Sequence, residues 1–126
     1  RIIELLRAER AQLKNISFDA LLILNEFTRR LIEKTAFVSR LFLFGSVAKG
    51  TARVNSDIDI ALVVSKKDTG QEITVTHIID SLSMQFKRKV QVHYFTEDEF
   101  ASSKSQLLED IRNEGIELIG SFSKKV

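Results

Sequence analysis

Two aspartates one residue apart, Asp57 and Asp59, stand at the head of the apolar run IALVV. A Gly45-Ser46 pair lies upstream of them, separated by ten residues and placed at the end of another apolar run, LFLF. Side chains alternate faces along an extended strand, so the two acids would share one face at roughly 6.5 Å. At an effective dielectric of about 20, carboxylates at that separation repel by about 2.5 kcal/mol. Such a pair does nothing for folding, and a cation between them relieves it. Oxygen-only donors with open positions suit Mg²⁺ held together with substrate phosphates. Glycine lets backbone approach a phosphate closely, and serine adds a hydroxyl donor beside exposed N–H groups. Taken alone, Asp-x-Asp reads as a strand that begins in solvent. With a phosphate cradle beside it, the same pair is equipment for phosphoryl or nucleotidyl transfer.

The elements that must position these groups follow from periodicity and caps. FVSRLFLF (37–44) and DIDIALVV (57–64) read as strands by their aromatic and β-branched content. On the second, Asp57, Asp59, Ala61 and Val63 share one face, and Ile58, Ile60, Leu62 and Val64 the other. RIIELLRAERAQLKN (1–15) reads as a short amphipathic helix with Ile2, Leu6 and Leu13 near one face. SFDALLILNEFTRRLIEK (17–34) reads as a second helix, capped by Ser17, with Leu21, Leu24, Phe27, Leu31 and Ile32 as its apolar stripe. SKKDTG (65–70) is a loop. QEITVTHIIDSLSMQFK (71–87) fits a helix with Ile73, Ile78, Leu82 and Phe86 facing the core, and KVQVHYF (89–95) alternates like a strand. Thr96 and Glu99 have the spacing of a capping box. SQLLEDIRNEG (105–115) is a short helix that Gly115 can close in a left-handed cap, and IELIG (116–120) is a last short strand. The order predicts an α+β (α/β-like) fold, a small mixed β-sheet flanked by helices.

Bulk properties narrow the function classes. A chain of 126 residues argues for one domain, and 44% hydrophobic with 29% charged residues is a globular balance. A net charge of +2 does not imply nucleic acid. The basic run Lys87-Arg88-Lys89 reads as a solvated turn, since no aromatics interleave with it to stack bases, and His77 reads as a surface or boundary residue. The absence of cysteine excludes disulfides and thiolate metal sites and is compatible with a cytoplasmic setting. No apolar run approaches the ~20 residues of a membrane span, and no signal peptide is visible.

The filler between the two motifs narrows the reading further. FGSVAKGTARVNSDIDIALVV (44–64) carries Phe-Gly-Ser, Ala-Lys-Gly and Ser-Asp-Ile-Asp in order, and it resembles the minimal nucleotidyltransferases of the DNA polymerase β superfamily. A weaker resemblance runs over residues 38–119. It implies a polymerase β-like nucleotidyltransferase fold over 1–126, with helices over 1–35 and the core over 38–119. It implies ATP as substrate with Mg²⁺ as cofactor, Gly45 and Ser46 on the β and γ phosphates, and Asp57 and Asp59 as metal ligands. By the same resemblance Lys49 would neutralise phosphate charge and Ser56 would orient Asp57. A solvated loop residue and a turn residue are the plain alternatives for these two.

One position departs from the pattern. The family's third carboxylate falls on the strand after the middle helix, where this chain has Val90-Gln91-Val92-His93. The Gln91 amide oxygen can ligate a metal weakly but cannot take a proton as a general base. His93, two residues on and on the same face, is a residue type that accepts protons near neutrality. Glu97 and Asp98 fall in the capping region.

Three functions compete. The first is an enzyme that moves a nucleoside monophosphate, AMP from ATP, onto a hydroxyl. The chain has no room for an acceptor-selecting domain, so a separate protein supplies the acceptor. The resemblance implies a HEPN-domain toxin whose tyrosine is adenylylated. The second is a degenerate antitoxin that neutralises its HEPN partner by contact, and the third is a nucleotide-sensing regulatory domain. A homo-oligomer is compatible with all three.

Overall fold

The computed structural model describes residues 16–52, 56–102 and 104–118; the helix expected over 1–15 lies outside them. Helix α1 (Phe18–Lys34) starts at Ser17, whose hydroxyl accepts from the Ala20 amide, and turns Ala20, Ile23, Leu24, Phe27 and Leu31 inward. Leu21 and Ile32, expected in that stripe, are only half-buried. Strand β1 (Val38–Phe44) runs into a single helical turn, α2 (Gly45–Lys49), which Gly50 ends in the left-handed region. Strand β2 (Ile58–Val64) leads through Asp68, the cap, into helix α3 (Thr69–Phe86). Strand β3 (Val90–Thr96), helix α4 (Glu97–Ser102), helix α5 (Gln106–Glu114) and the two-residue strand β4 (Ile116–Glu117) complete the order.

The sheet order is β3-β2-β1-β4. β1 is antiparallel to both β2 and β4, whereas β2 and β3 are parallel, α3 being the crossover between them. This is the small mixed sheet that the element order predicts. Strand alternation then assigns the two faces. Ile58, Ile60, Leu62 and Val64 point with Leu41 and Leu43 into a core closed by α1 and α3. Ala61 and Val63 point the other way, with Phe42 and Phe44, onto Phe100 of α4 and Leu108 and Ile111 of α5. Asp59 is on this second face, at the end that α4 and α5 leave half open.

Three expectations need correction. Ile73 is 51% exposed, because the inward line of α3 is Val75, Ile78 and Leu82, and a residue two positions from Val75 lies about 200° round the helix. Gly115 is extended (φ −71°, ψ 151°), not left-handed. Its lack of a side chain is needed for proximity, since a Cβ there would lie 2.5 Å from the Ile111 carbonyl oxygen. Arg88, read as part of a solvated turn, is 8% exposed. The capping box forms as expected: the Thr96 amide donates to Glu99 Oε1 at 2.9 Å, and the Glu99 amide donates to the Thr96 hydroxyl at 3.2 Å.

Candidate active site

Gly45 begins the turn after β1 with φ +79°, a conformation that disfavours any side chain. A Cβ at this position would run into Asp59 Oδ2. The antiparallel register explains the approach, since Phe44 sits opposite Asp59 on the neighbouring strand. Ser46 follows in the same turn, and its carbonyl accepts from the Thr51 amide at 3.0 Å, folding the loop back over the turn. Gly45 and the second aspartate are therefore packed against each other, although the two motifs are ten residues apart in the chain.

The parallel register of β2 and β3 adds the other wall. Asp59 is opposite Gln91 and Ala61 opposite His93. Asp57, just before β2, receives a hydrogen bond from Gln91 Nε2 to its Oδ2 at 2.8 Å. The third position thus faces the acids, and it does so as a donor. The His93 ring meets Phe44 edge-on, with centroids 5.4 Å apart. Burial, and after it the charge of Asp57, pushes the Asp59 carboxyl above the ordinary value of 3.8, with a smaller opposing pull from His93.

The donor set fits a hard divalent cation. One carboxylate lies just before β2 and the other on it, and Asp59 is destabilised in its charged form by burial and then by Asp57. Among the described residues no cluster of three or more His, Cys, Asp or Glu offers a closed cage. An ion there would need further oxygens from water or phosphate. Gln91 contributes no charge to the set.

The two remaining candidates, Lys49 and Ser56, each make a contact of their own. The Lys49 ammonium pairs with Glu114 at 3.2 Å, joining α2 to α5. Ser56 offers its carbonyl to Arg88 at 2.9 Å. Arg88 is the site-adjacent residue that sequence reasoning missed. Its only sequence signal was a position two residues before an apolar strand, which its two lysine neighbours obscured.

The described chain thus has a Gly-Ser turn packed on the second of two adjacent carboxylates, in a mixed four-stranded sheet. The model of the polymerase beta nucleotidyltransferase domain matches residues 26–123. The chain belongs to the polymerase beta nucleotidyltransferase family. No curated protein matches it. Among solved structures, this nucleotidyltransferase domain is similar in fold to a chain in the crystal structure of the toxin–antitoxin MntA-HepT. The identity is 21%, 82% of this chain and 74% of that chain are covered, and the TM-score is 0.53. It is also similar to a chain in a crystal structure of the toxin–antitoxin with AMP-PNP, at 24% identity over 80% of this chain and 81% of that chain, with a TM-score of 0.58. Among the described residues of this family member, no helix is long and apolar enough to cross a membrane.

Proposed function

We propose that the chain is a Mg²⁺-dependent nucleotidyltransferase that moves AMP from ATP onto a hydroxyl of a separate partner protein, a tyrosine of a HEPN-type toxin, and so acts as its antitoxin in the cytoplasm. The observation that carries this reading is the packing of the Gly45 backbone against Asp59, with Asp57 beside it. Nothing about folding calls for an acid without a partner among the described residues next to a left-handed glycine and a second acid. The likeness in fold to toxin–antitoxin chains, one of them crystallised with AMP-PNP, supports the choice of partner and nucleotide.

Asp57 and Asp59 would hold the ion, which supplies charge neutralisation for the triphosphate when bound. Gly45 and Ser46 would offer close backbone and a hydroxyl to the β and γ phosphates. The acceptor oxygen forms the new bond to the α-phosphorus, the bond to pyrophosphate breaks, and the acceptor proton leaves to water or a nearby base. Gln91 cannot take that proton. A phenol, with a pKa of about 10, needs less help than an alkyl alcohol, which is why a tyrosine suits this site. Asp59, half-buried and next to Asp57, gains from a counter-charge.

The test is transfer of label from α-labelled ATP, with Mg²⁺, to the protein encoded beside this one. Absence of transfer with every divalent metal tried would sink the enzyme reading. One observation favours a second reading: the Gln91 amide already satisfies Asp57, as in a site that has lost its chemistry and neutralises its partner by contact alone. The double change Asp57→Asn with Asp59→Asn separates the two. Neutralisation that survives it intact needs no chemistry.

A further inference from the structure

Among the described residues, Arg88 is the one charged side chain in the buried class. Its Nη1 donates to Asp19 Oδ2 at 2.7 Å, in the first turn of α1, and its Nη2 donates to the Ser56 carbonyl at 2.9 Å. Its Nε is buried and finds no partner among the described residues. Two residues beyond Ser56, the Ile58 amide donates to the Lys89 carbonyl at 2.9 Å. The backbone on either side of Asp57 is therefore pinned to consecutive residues, 88 and 89. The carboxylate between these two anchors then receives Gln91.

Burying a guanidinium is expensive, and apolar residues of similar volume often replace buried ion pairs at no loss of stability. What an apolar side chain cannot do is hold two acceptors, on different elements, at the fixed angle of the guanidinium fork. Lysine keeps the charge but not the fork. We propose that Arg88 is a positioning residue for Asp57. Through the Ser56 carbonyl it fixes the backbone from which Asp57 projects, and through Asp19 it ties that backbone to the start of α1. Only the second of the two readouts below rests on the proposed function.

The first readout is the side-chain amide of Gln91 in metal-free protein, followed by ¹⁵N–¹H correlation spectra and assigned by its disappearance in Gln91→Asp. Donation to Asp57 separates this pair of resonances from those of solvated glutamines. In Arg88→Met and Arg88→Lys the pair moves to the solvated position, and in Asp19→Asn it moves part of the way, while resonances of β1 and of the core under α1 stay in place. The second readout is calorimetric binding of Mg²⁺ with a non-hydrolysable ATP analogue. Affinity should fall about tenfold or more in Arg88→Lys, the loss typical when a partner that orients a metal ligand is removed. An unmoved Gln91 resonance in folded Arg88→Lys and Asp19→Asn overturns the proposal, whether or not Arg88→Met folds. If the parent binds no nucleotide, the proposed function fails, and the Gln91 resonance still decides the role of Arg88.

Discussion

Gln91→Asp probes the carboxylate site where the chain departs from its family's pattern. The amide now donates to Asp57 at 2.8 Å and stands in register with Asp59. The change removes a hydrogen bond to a charged group, worth about 1.5–3 kcal/mol. It also places a third carboxylate beside the other two. For charges about 5 Å apart at an effective dielectric of about 20, each repulsion is about 3 kcal/mol. Solvent at this half-open site reduces that figure, and protonation of one carboxyl caps it. The expected loss of stability in EDTA is therefore about 2–4 kcal/mol, or roughly 10 °C in melting temperature for a chain of this size. Mg²⁺ with a non-hydrolysable ATP analogue should restore most of it, because a third negative oxygen strengthens the ion's shell. Transferase activity should rise by at least about tenfold, a floor set below the roughly 10²–10⁴-fold that a well-placed general base contributes, most visibly with alkyl hydroxyl acceptors. The assays are thermal melts in EDTA, in Mg²⁺ and in Mg²⁺ with the analogue, followed by label transfer. An unchanged melt in EDTA would refute the placement of Gln91 against the acids. If His93→Ala abolishes activity while Gln91→Asp leaves it unaltered, the histidine is the base and the role given to position 91 is wrong.

Three further outcomes are expected. The raised Asp59 carboxyl means that the folded chain holds this proton more tightly than the unfolded chain does. Stability from that group is complete below its ordinary value of 3.8 and is lost as pH rises through the folded value. Asp59→Asn in EDTA should therefore equal or exceed the parent at neutral pH, with an advantage that grows from acid to neutrality; denaturant melts showing a large loss instead would make the acid structural. Gly45→Ala combines left-handed backbone with a collision against Asp59. It should cost more than about 2 kcal/mol in the same melts and weaken nucleotide-coupled metal binding. Thr96→Ala removes the hydroxyl that caps α4 and should cost about 1 kcal/mol while leaving metal and nucleotide binding unchanged by calorimetry.

What could be seen in the chain was local. The order of elements, the Ser17 cap, the Thr96–Glu99 box and the two faces of β2 all depend on residues within a few positions of one another. For the same reason Gly45-Ser46 and Asp57-x-Asp59 were legible as a pair of motifs. Tertiary structure decided which groups those motifs meet. The parallel register of β2 and β3 turns the Gln91 amide onto Asp57, and no spacing along the chain reveals that a residue expected as a weak ligand serves as a donor. Only the fold brings Glu114 of α5 to Lys49. Arg88 looked solvated between two lysines, and it is enclosed because the start of α1 and the loop before β2 converge on its two ends. Ile73 looked apolar enough for the core and is not in it, because the packing of α3 turns Val75, Ile78 and Leu82 inward and leaves position 73 on the far side of the helix. A residue type and its neighbours set what a side chain can do; long-range pairing sets what it faces, and for a charge moved out of water that difference decides between a ligand, an anchor and an exposed group.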